Sequence, residues 1–281
     1  MRMTAEIKNI CDRIESLMTV YRDNKHDLLY EKTMQVLSSI EFSAIFITET
    51  TLPLHRVRPN YKDNTPFIKA TDLNYAPPEY VSNYGRVNRP GQSMFYCAED
   101  PNICNLELLY DYLLKNDDGH EGYATHSKWN ITDKLYLLVI AIAPSNREYY
   151  NTYTLRKDCT KFIESQPMAM RNNYNNLYSL TEHFFLINAK NDPSVYVVCS
   201  AIANYLTLQY PSIDGLIYPS VQGNTGYNFV LRPHTINNKM ITPESDVSME
   251  KWTVANGKKL NNATPNFKKG HIIGDNIVWY T

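Results

Sequence analysis

Glu107 is the residue whose type and position first suggest chemistry. It belongs to DPNICNLELLYDYLLKN, a segment with apolar residues at helical spacing. At about 100° per residue, Glu107 falls on the margin of the apolar stripe rather than on the solvated face. A carboxylate there either pairs with a structural arginine at the edge of the core or takes part in catalysis. The stripe consists of Ile103, Leu106, Tyr110, Leu113 and Leu114.

A basic turn lies just upstream of this helix, in the stretch GRVNRPGQSMFYCAED. Arg86 and Arg89 stand in a turn marked by glycine and proline, and a strand-like segment with Tyr96 follows. Because Tyr96 precedes Glu107 by eleven residues, strand, turn and helix would bring a ring, a carboxylate and guanidinium groups to one rim. The turn is either an ordinary surface loop, shaped by Asn88, or a loop that binds an anion.

Two further segments carry polar side chains that could belong to the same site. LHRVRP ends an apolar run and carries Arg56 and Arg58. GLIYPSVQGNTGYNFVLRP places Tyr218, Ser220 and Asn228 around a glycine-rich loop. A strand tyrosine or a turn serine is commonplace on its own, so these residues gain interest only as a set.

The predicted elements give a mixed α+β fold. Residues 4–41 have helical periodicity in two halves and predict an N-terminal helical hairpin. Two segments that begin with Asp-Pro, DPNICNLELLYDYLLKN and DPSVYVVCSAIANYLTLQYP, predict helices, because the aspartate caps a helix that starts near the proline. Short apolar runs predict strands in FSAIFI, KLYLLVIAIA, EHFFLINA, DGLIYPS and YNFVLRP, and HIIGDNIVWYT predicts a C-terminal hairpin.

This layout predicts a division of the chain into two parts. Residues 1–45 would form a helical extension and residues 46–281 the functional domain. The proline-rich connection over residues 59–84 predicts a functional flap or a surface insertion. The helical extension would either pack on the core or dock a partner, such as another protein or a second copy of the chain.

Composition excludes several classes of function. The net charge of −1 gives no global field that would attract nucleic acid or an anionic membrane. No apolar run approaches a membrane span, and the N-terminus lacks the apolar core of a signal peptide, so we expect a cytoplasmic protein. The five scattered cysteines predict buried, reduced thiols. His120, His126 and His183 have no partners at metal-ligand or triad spacing.

The three segments LHRVRP, GRVNRPGQSMFYCAED with ELLYDYL, and DGLIYPSV with YNFVLRP resemble the RES domain in order and spacing. By residue type, Arg56 and Arg86 match the arginines of that family, Tyr96 its tyrosine, Glu107 its glutamate and Ser220 its serine. The chain differs from the minimal domain in its long gap between Arg56 and Arg86 and in its first 50 residues.

The resemblance implies a fold like that of the ADP-ribosyltransferases, with a mixed β core and flanking helices. It also implies NAD⁺ as a substrate, with no further cofactor or metal. Many members are toxins of bacterial toxin–antitoxin pairs that destroy NAD⁺ by hydrolysis or phosphorolysis, and some are described as protein ADP-ribosyltransferases. The predicted catalytic residues are Glu107, Arg56 and Tyr96, and the predicted substrate-binding residues are Arg86, Ser220, Tyr218 and Asn228.

The chemistry of NAD⁺ cleavage suits this set of residues. Nicotinamide leaves as a neutral base, so one carboxylate can suffice to stabilise the positive charge that develops on the ribose. Arg56 and Arg86 would bind the pyrophosphate, while Arg58 and Arg89 would face solvent. Three hypotheses stay open: an NAD⁺-consuming toxin-type enzyme, a protein mono-ADP-ribosyltransferase, and a catalytically silent binding module. An antitoxin protein and a homodimer are the predicted protein partners.

Overall fold

A computed structural model gives the fold. It describes residues 3–22, 25–40, 42, 47–50, 53–60, 64–113, 118–142, 150–189, 192–221, 226–238, 242–255 and 259–280. The α-helices are α1 (Ala5–Val20), α2 (His26–Leu37), α3 (Pro101–Leu113), α4 (Tyr150–Ser165), α5 (Met168–Phe185), α6 (Ser194–Gln209) and α7 (Pro233–Asn238). The strands are β1 (Ile47–Thr50), β2 (Leu54–Pro59), β3 (Phe95–Ala98), β4 (Glu121–Asn130), β5 (Leu135–Val139), β6 (Gly215–Pro219), β7 (Tyr227–Leu231), β8 (Thr242–Ala255), β9 (Lys259–Ile273) and β10 (Asn276–Tyr280).

These strands form one mixed sheet, in the order β1-β5-β6-β7-β3-β2-β4-β8-β9-β10. β5 and β6 are parallel, whereas the other neighbouring strands pair antiparallel. The sequence-based prediction of an α+β fold with a mixed sheet and flanking helices is therefore confirmed.

The two faces of the sheet separate the side chains of the central strands. Side chains alternate along a strand, so Tyr96 and Cys97 on β3 point to opposite faces. Tyr96 and Tyr218 pack in one core beside α6. Cys97 lies with Phe95 and Phe229 in a second core on the other face. The prediction that Cys97 points away from Tyr96 is confirmed, and all five cysteines are buried and free.

The N-terminal hairpin is also confirmed, and it packs on the core. Thr4 caps α1, because its hydroxyl accepts a hydrogen bond from the backbone amide of Ile7 at 3.3 Å. Ile14 of α1 and Leu29 of α2 are fully buried in the core that contains Ile202 of α6. The hairpin therefore covers α6 and contributes to the core beside Tyr96 and Tyr218.

Both Asp-Pro segments begin helices, but only α3 has the proline at its first position, since α6 starts one residue after Pro193. α3 starts at Pro101, and the carboxylate of Asp100 accepts a hydrogen bond from the amide of Asn102 at 2.7 Å. Asp192 does the same for the amide of Ser194 at the start of α6, at 3.0 Å. Capping fixes where α3 begins, and thereby which of its residues face the sheet.

One strand prediction is wrong. EHFFLINA contains the last turn of α5, which runs from Met168 to Phe185. Its buried residues recur at helical spacing over the whole of α5, from Tyr174 through Leu177 and Tyr178 to Phe184. The apolar run looks strand-like only when it is separated from that longer pattern. Most of the FSAIFI run lies outside the described residues.

The C-terminal hairpin is confirmed as β9 and β10, with Gly274 in the turn at a positive φ of 63°. β10 also holds the long connection between β2 and β3. The amide of Ala70 donates to the carbonyl of Asp275, and that of Ile277 to the carbonyl of Ile68, each at 2.9 Å. This connection contains two short 3₁₀ helices, Ala70–Leu73 and Pro78–Tyr80.

Among the described residues, no helix combines the length and the apolar character that crossing a bilayer would require.

A stacked histidine pair joins β2 and β4. The rings of His55 and His126 are nearly parallel, and Nδ1 of His55 lies 3.1 Å from Nε2 of His126. Burial, followed by repulsion from His55, lowers the pKa of His126 from 6.5 to about 4. In the unfolded chain His126 would take up a proton near its ordinary pKa.

We therefore expect the free energy of unfolding to fall as the pH falls from about 6.5 to about 4, because the unfolded state then binds more protons. A pKa difference of one corresponds to about 1.4 kcal/mol, so the fall from 6.5 to about 4 should give His126 a contribution of up to about 3 kcal/mol. Urea unfolding across this range should show a flatter profile for His126→Phe, which keeps a ring on His55. The exposed His120, changed to glutamine, is the control. If the free energy of unfolding of His126→Phe depends on pH as steeply as that of the wild-type protein, the histidine pair is not the source of the pH dependence.

Candidate active site

Glu107 is held in place by two donors from the β6 end of the sheet. Its Oε1 accepts a hydrogen bond from the Ser220 hydroxyl at 2.6 Å and another from the backbone amide of Val221 at 2.8 Å. Ser220 is buried, whereas Glu107 is partly buried. α3 and the segment after β6 are thereby joined through a carboxylate whose orientation is fixed.

Gly226 explains why the segment after β6 folds in this way. Its carbonyl accepts a hydrogen bond from the amide of Ser220 at 2.9 Å, which closes the loop between β6 and β7. Gly226 has a positive φ of 74°, and a Cβ added there would overlap the side chain of Ile103 on α3. Only glycine therefore permits both the backbone conformation and the close approach of α3.

Tyr96 lies on the same sheet face, and its hydroxyl closes the basic turn. It donates to the side-chain oxygen of Asn88 at 2.7 Å and accepts from the amide of Val87 at 3.1 Å. A Cβ on Gly85 would lie 2.7 Å from this hydroxyl, so the close contact requires glycine there. Burial raises the pKa of Tyr96, so the phenol stays neutral. The predicted role of Asn88 in shaping the turn agrees with these contacts.

Arg86 is a buried cation beside these groups. Its Nη1 and Nη2 donate to the carbonyls of Phe185 and Ile187 at the end of α5, at 3.3 and 2.8 Å. Burial works against its charged form, but nearby groups, first Cys199 and then Tyr218 and Glu107, favour it, and the net effect raises the pKa of Arg86. The positive charge is therefore permanent, and the guanidinium also fixes the chain that leaves α5.

Tyr218 and Asn228 face each other across β6 and β7. They are direct partners in the register, and Asn228 is also paired with Ala98 of β3. Directly opposite residues share a face, so this row lies on the face of Tyr96. Burial raises the pKa of Tyr218, and the proximity of Tyr96 and Glu107 adds to the effect.

The structure brings six of the seven predicted site residues to one region. A hydrogen bond joins Ser220 to Glu107, while electrostatic proximity links Tyr218 to Tyr96, to Glu107 and to Arg86. Asn228 joins them through its pairing with Tyr218.

Arg56 is the seventh, and it lies on the opposite face. It follows His55, which pairs with Ala98, so its side chain points away from Tyr96. The guanidinium donates to the carbonyls of Leu73, Tyr96 and Asn74 at 3.0, 2.6 and 3.3 Å, and stacks over the Phe95 ring at 4.6 Å. Arg58 and Arg89 are both predicted to face solvent. Arg89 is exposed, whereas Arg58 is only partly exposed and donates to the carbonyl of Asp72.

Some groups of this site carry no signal in the sequence. Tyr196 on α6 lies under Arg86, with its ring 5.5 Å from the guanidinium carbon, and the helix around it is mostly apolar. The amide of Val221 is a backbone group that any residue would supply. Gly226 could have been found, since a glycine after Asn-Thr indicates a turn with positive φ. No cluster of three or more potential metal ligands occurs among the described residues.

The α+β sheet thus brings together a helix-borne carboxylate that a serine fixes, a buried arginine and two tyrosines. The family model of the RES domain matches residues 53–250. The chain therefore belongs to the RES domain family. At family level this supports an NAD-related, toxin-like module. A search of curated proteins finds no relative of this chain.

Proposed function

We propose that the protein is an NAD⁺-consuming enzyme of the RES toxin type, which cleaves the bond between nicotinamide and ribose with water or phosphate as the acceptor. The observation that carries this proposal is the fixed carboxylate of Glu107, next to Tyr218 and the buried charge of Arg86. Membership of the RES family supports NAD⁺ as the substrate class.

Glu107 has the central role in this proposal. As the glycosidic bond lengthens, nicotinamide takes the bonding electrons and leaves as a neutral base, so the ribose becomes oxocarbenium-like. A carboxylate fixed by Ser220 and by the amide of Val221 stabilises that positive charge without having to reorient. No acid is needed for the leaving group, which agrees with a site built on a single fixed carboxylate.

The other residues bind and position the substrate. The charge of Arg86 attracts the pyrophosphate, although its Nη1 and Nη2 donate to carbonyls of the chain that leaves α5. The Tyr96 ring forms a flat wall, because its hydroxyl is engaged in the basic turn. Arg56 acts indirectly from the other face: it donates to the carbonyl of Tyr96 and thereby positions β3.

The proposal includes a cellular setting. NAD⁺ is an intracellular metabolite, so an enzyme that destroys it would act in the cytoplasm. The cell that makes such an enzyme must restrain it, and we propose an antitoxin protein as the partner. A homodimer is the alternative protein contact.

The proposal is tested by incubating the purified protein with NAD⁺ at several phosphate concentrations. Free nicotinamide, ADP-ribose, ADP-ribose 1″-phosphate and labelled protein would be quantified separately. Release of nicotinamide with ADP-ribose indicates hydrolysis, and a phosphate-dependent phosphorylated product indicates phosphorolysis. Label on protein would instead indicate an ADP-ribosyltransferase, and no release of nicotinamide under any condition would exclude the proposal.

We expect Ser220→Ala to lower kcat/KM for NAD⁺ by about tenfold, because a hydrogen bond to a charged group contributes roughly 1.5–3 kcal/mol. Glu107 would keep the bond from Val221, so some activity should remain. Ser93→Ala is the matched control, since that buried serine also donates one 2.6 Å hydrogen bond, to the carbonyl of Ala76. Both variants should lose similar stability, but only Ser220→Ala should lose activity. Equal activities would contradict the role of Ser220.

A further inference from the structure

Asn228 has an unpaired polar atom at the centre of the site. Its side chain is only 5% exposed. Its Nδ2 is buried and has no hydrogen-bond partner among the described residues. A buried donor without a partner costs roughly 1–3 kcal/mol. We therefore expect a ligand atom to accept a hydrogen bond from this Nδ2.

An unpaired Nδ2 is unusual among the buried asparagines in the described part of the chain. Asn60 donates its Nδ2 to the carbonyl of Thr65, Asn88 donates to two carbonyls, and Asn105 donates to the carboxylate of Glu250. The first two amides fix local turns, and the third joins α3 to β8. Asn228 has no such contact through Nδ2, so its amide group is not explained by packing alone.

The surroundings of Asn228 indicate what kind of group it binds. Its neighbours in the cross-strand row are Ala98 and Tyr218, and Tyr96 lies on the same face. An apolar and aromatic environment suits a flat ring better than a phosphate. Glu107 lies close enough to Tyr218 to act on it electrostatically. Its negative charge therefore also disfavours a ligand that carries a carboxylate at this position. A neutral primary amide presents one donor and one acceptor together, and these complement a second primary amide.

We propose that Asn228 is a specificity-determining residue that binds the carboxamide of the nicotinamide ring and selects it against a carboxylate on the same ring. Nδ2 donates to the carboxamide oxygen, and Oδ1 accepts from its NH₂ group. This places the leaving base beside Tyr218 and the ribose beside Glu107. The inference rests on the proposed cleavage of NAD⁺.

The test compares two substrates, NAD⁺ and nicotinic acid adenine dinucleotide, which differ only in this group. We expect the wild-type protein to favour NAD⁺ in kcat/KM by about 10- to 100-fold, since a carboxylate would leave Oδ1 facing another acceptor. Asn228→Ala should reduce that preference by about tenfold. Comparing the two preferences cancels the different intrinsic reactivities of the two leaving groups.

Asn105→Ala is the matched control, because this buried amide also has one unpaired atom, Oδ1, but contacts Glu250 away from the site. It should keep the wild-type preference. If Asn228→Ala does not fold, Asn228→Ser removes the same amide and should show the same reduced preference. An unchanged preference in the folded variant overturns the role of Asn228 while the proposed function stands. If the wild-type protein releases neither nicotinamide nor nicotinic acid, the role of Asn228 and the proposed function both fail.

Discussion

Glu107→Gln should abolish most nicotinamide release from NAD⁺, with kcat lowered by about 10²–10³-fold and KM changed little. Glutamine has nearly the same shape, and its side-chain oxygen can still accept the bonds from Ser220 and from the amide of Val221. The substitution therefore removes the negative charge but keeps the contact between α3 and the segment after β6. A rate effect without a loss of stability would show that the charge stabilises the transition state.

Glu250→Gln is the control for this experiment. Glu250 lies on β8 and accepts a hydrogen bond from Asn105 of the same helix α3, at 3.1 Å. It is partly buried like Glu107, but it lies away from Tyr218 and Ser220. We expect Glu250→Gln to retain wild-type kcat. Nicotinamide release by Glu107→Gln at the wild-type rate would refute the mechanism, even if the protein does consume NAD⁺.

Gly226→Ala should cause the largest loss of stability among the substitutions considered, about 2–4 kcal/mol. An alanine at a φ of 74° is strained by roughly 1–2 kcal/mol, and its methyl group would also overlap Ile103 on α3. Relief of the overlap must move α3 or the loop, which separates Glu107 from Ser220. Activity should therefore fall together with the free energy of unfolding, and urea denaturation and nicotinamide release would be measured in parallel.

Gly91→Ala separates the two causes of this effect. Gly91 has the same φ of 74°, but a Cβ there would have no atom within 4 Å. Gly91→Ala should show only the cost of the backbone strain, roughly 1–2 kcal/mol, and unchanged kcat. Equal losses of stability in the two variants would mean that the contact between Gly226 and Ile103 contributes nothing.

Sequence reasoning succeeded where local patterns determine the structure. The caps at Asp100 and Asp192, the turn at Gly274 and the alternation of Tyr96 and Cys97 are all properties of neighbouring residues. The same patterns placed Glu107 on the margin of its helix. A carboxylate at that position needed donors, and they come from the segment after β6.

The sequence could not show contacts that depend on the order of strands in the sheet. Arg56 has the residue type of an anion ligand, yet the pairing of β2 with β3 turns it to the other face, onto backbone carbonyls. Arg86 contacts the end of α5, about a hundred residues away in the chain. The partners of a buried arginine are decided by tertiary structure, so its type alone does not distinguish a ligand contact from a backbone contact.

The hydrogen bonds between residues 68–70 and the end of the C-terminal hairpin attach the long connection to the sheet. The family match ends at residue 250, within β8, so β9 and β10 lie beyond it, while residues 68–70 belong to the long connection between β2 and β3. Each of these two segments supplies hydrogen-bond partners that the other needs. Removal of Asp275 and β10 would therefore leave the carbonyl of Ile68 and the amide of Ala70 without their partners, and the connection that supplies the Leu73 and Asn74 carbonyls to Arg56 would lose its attachment to the sheet.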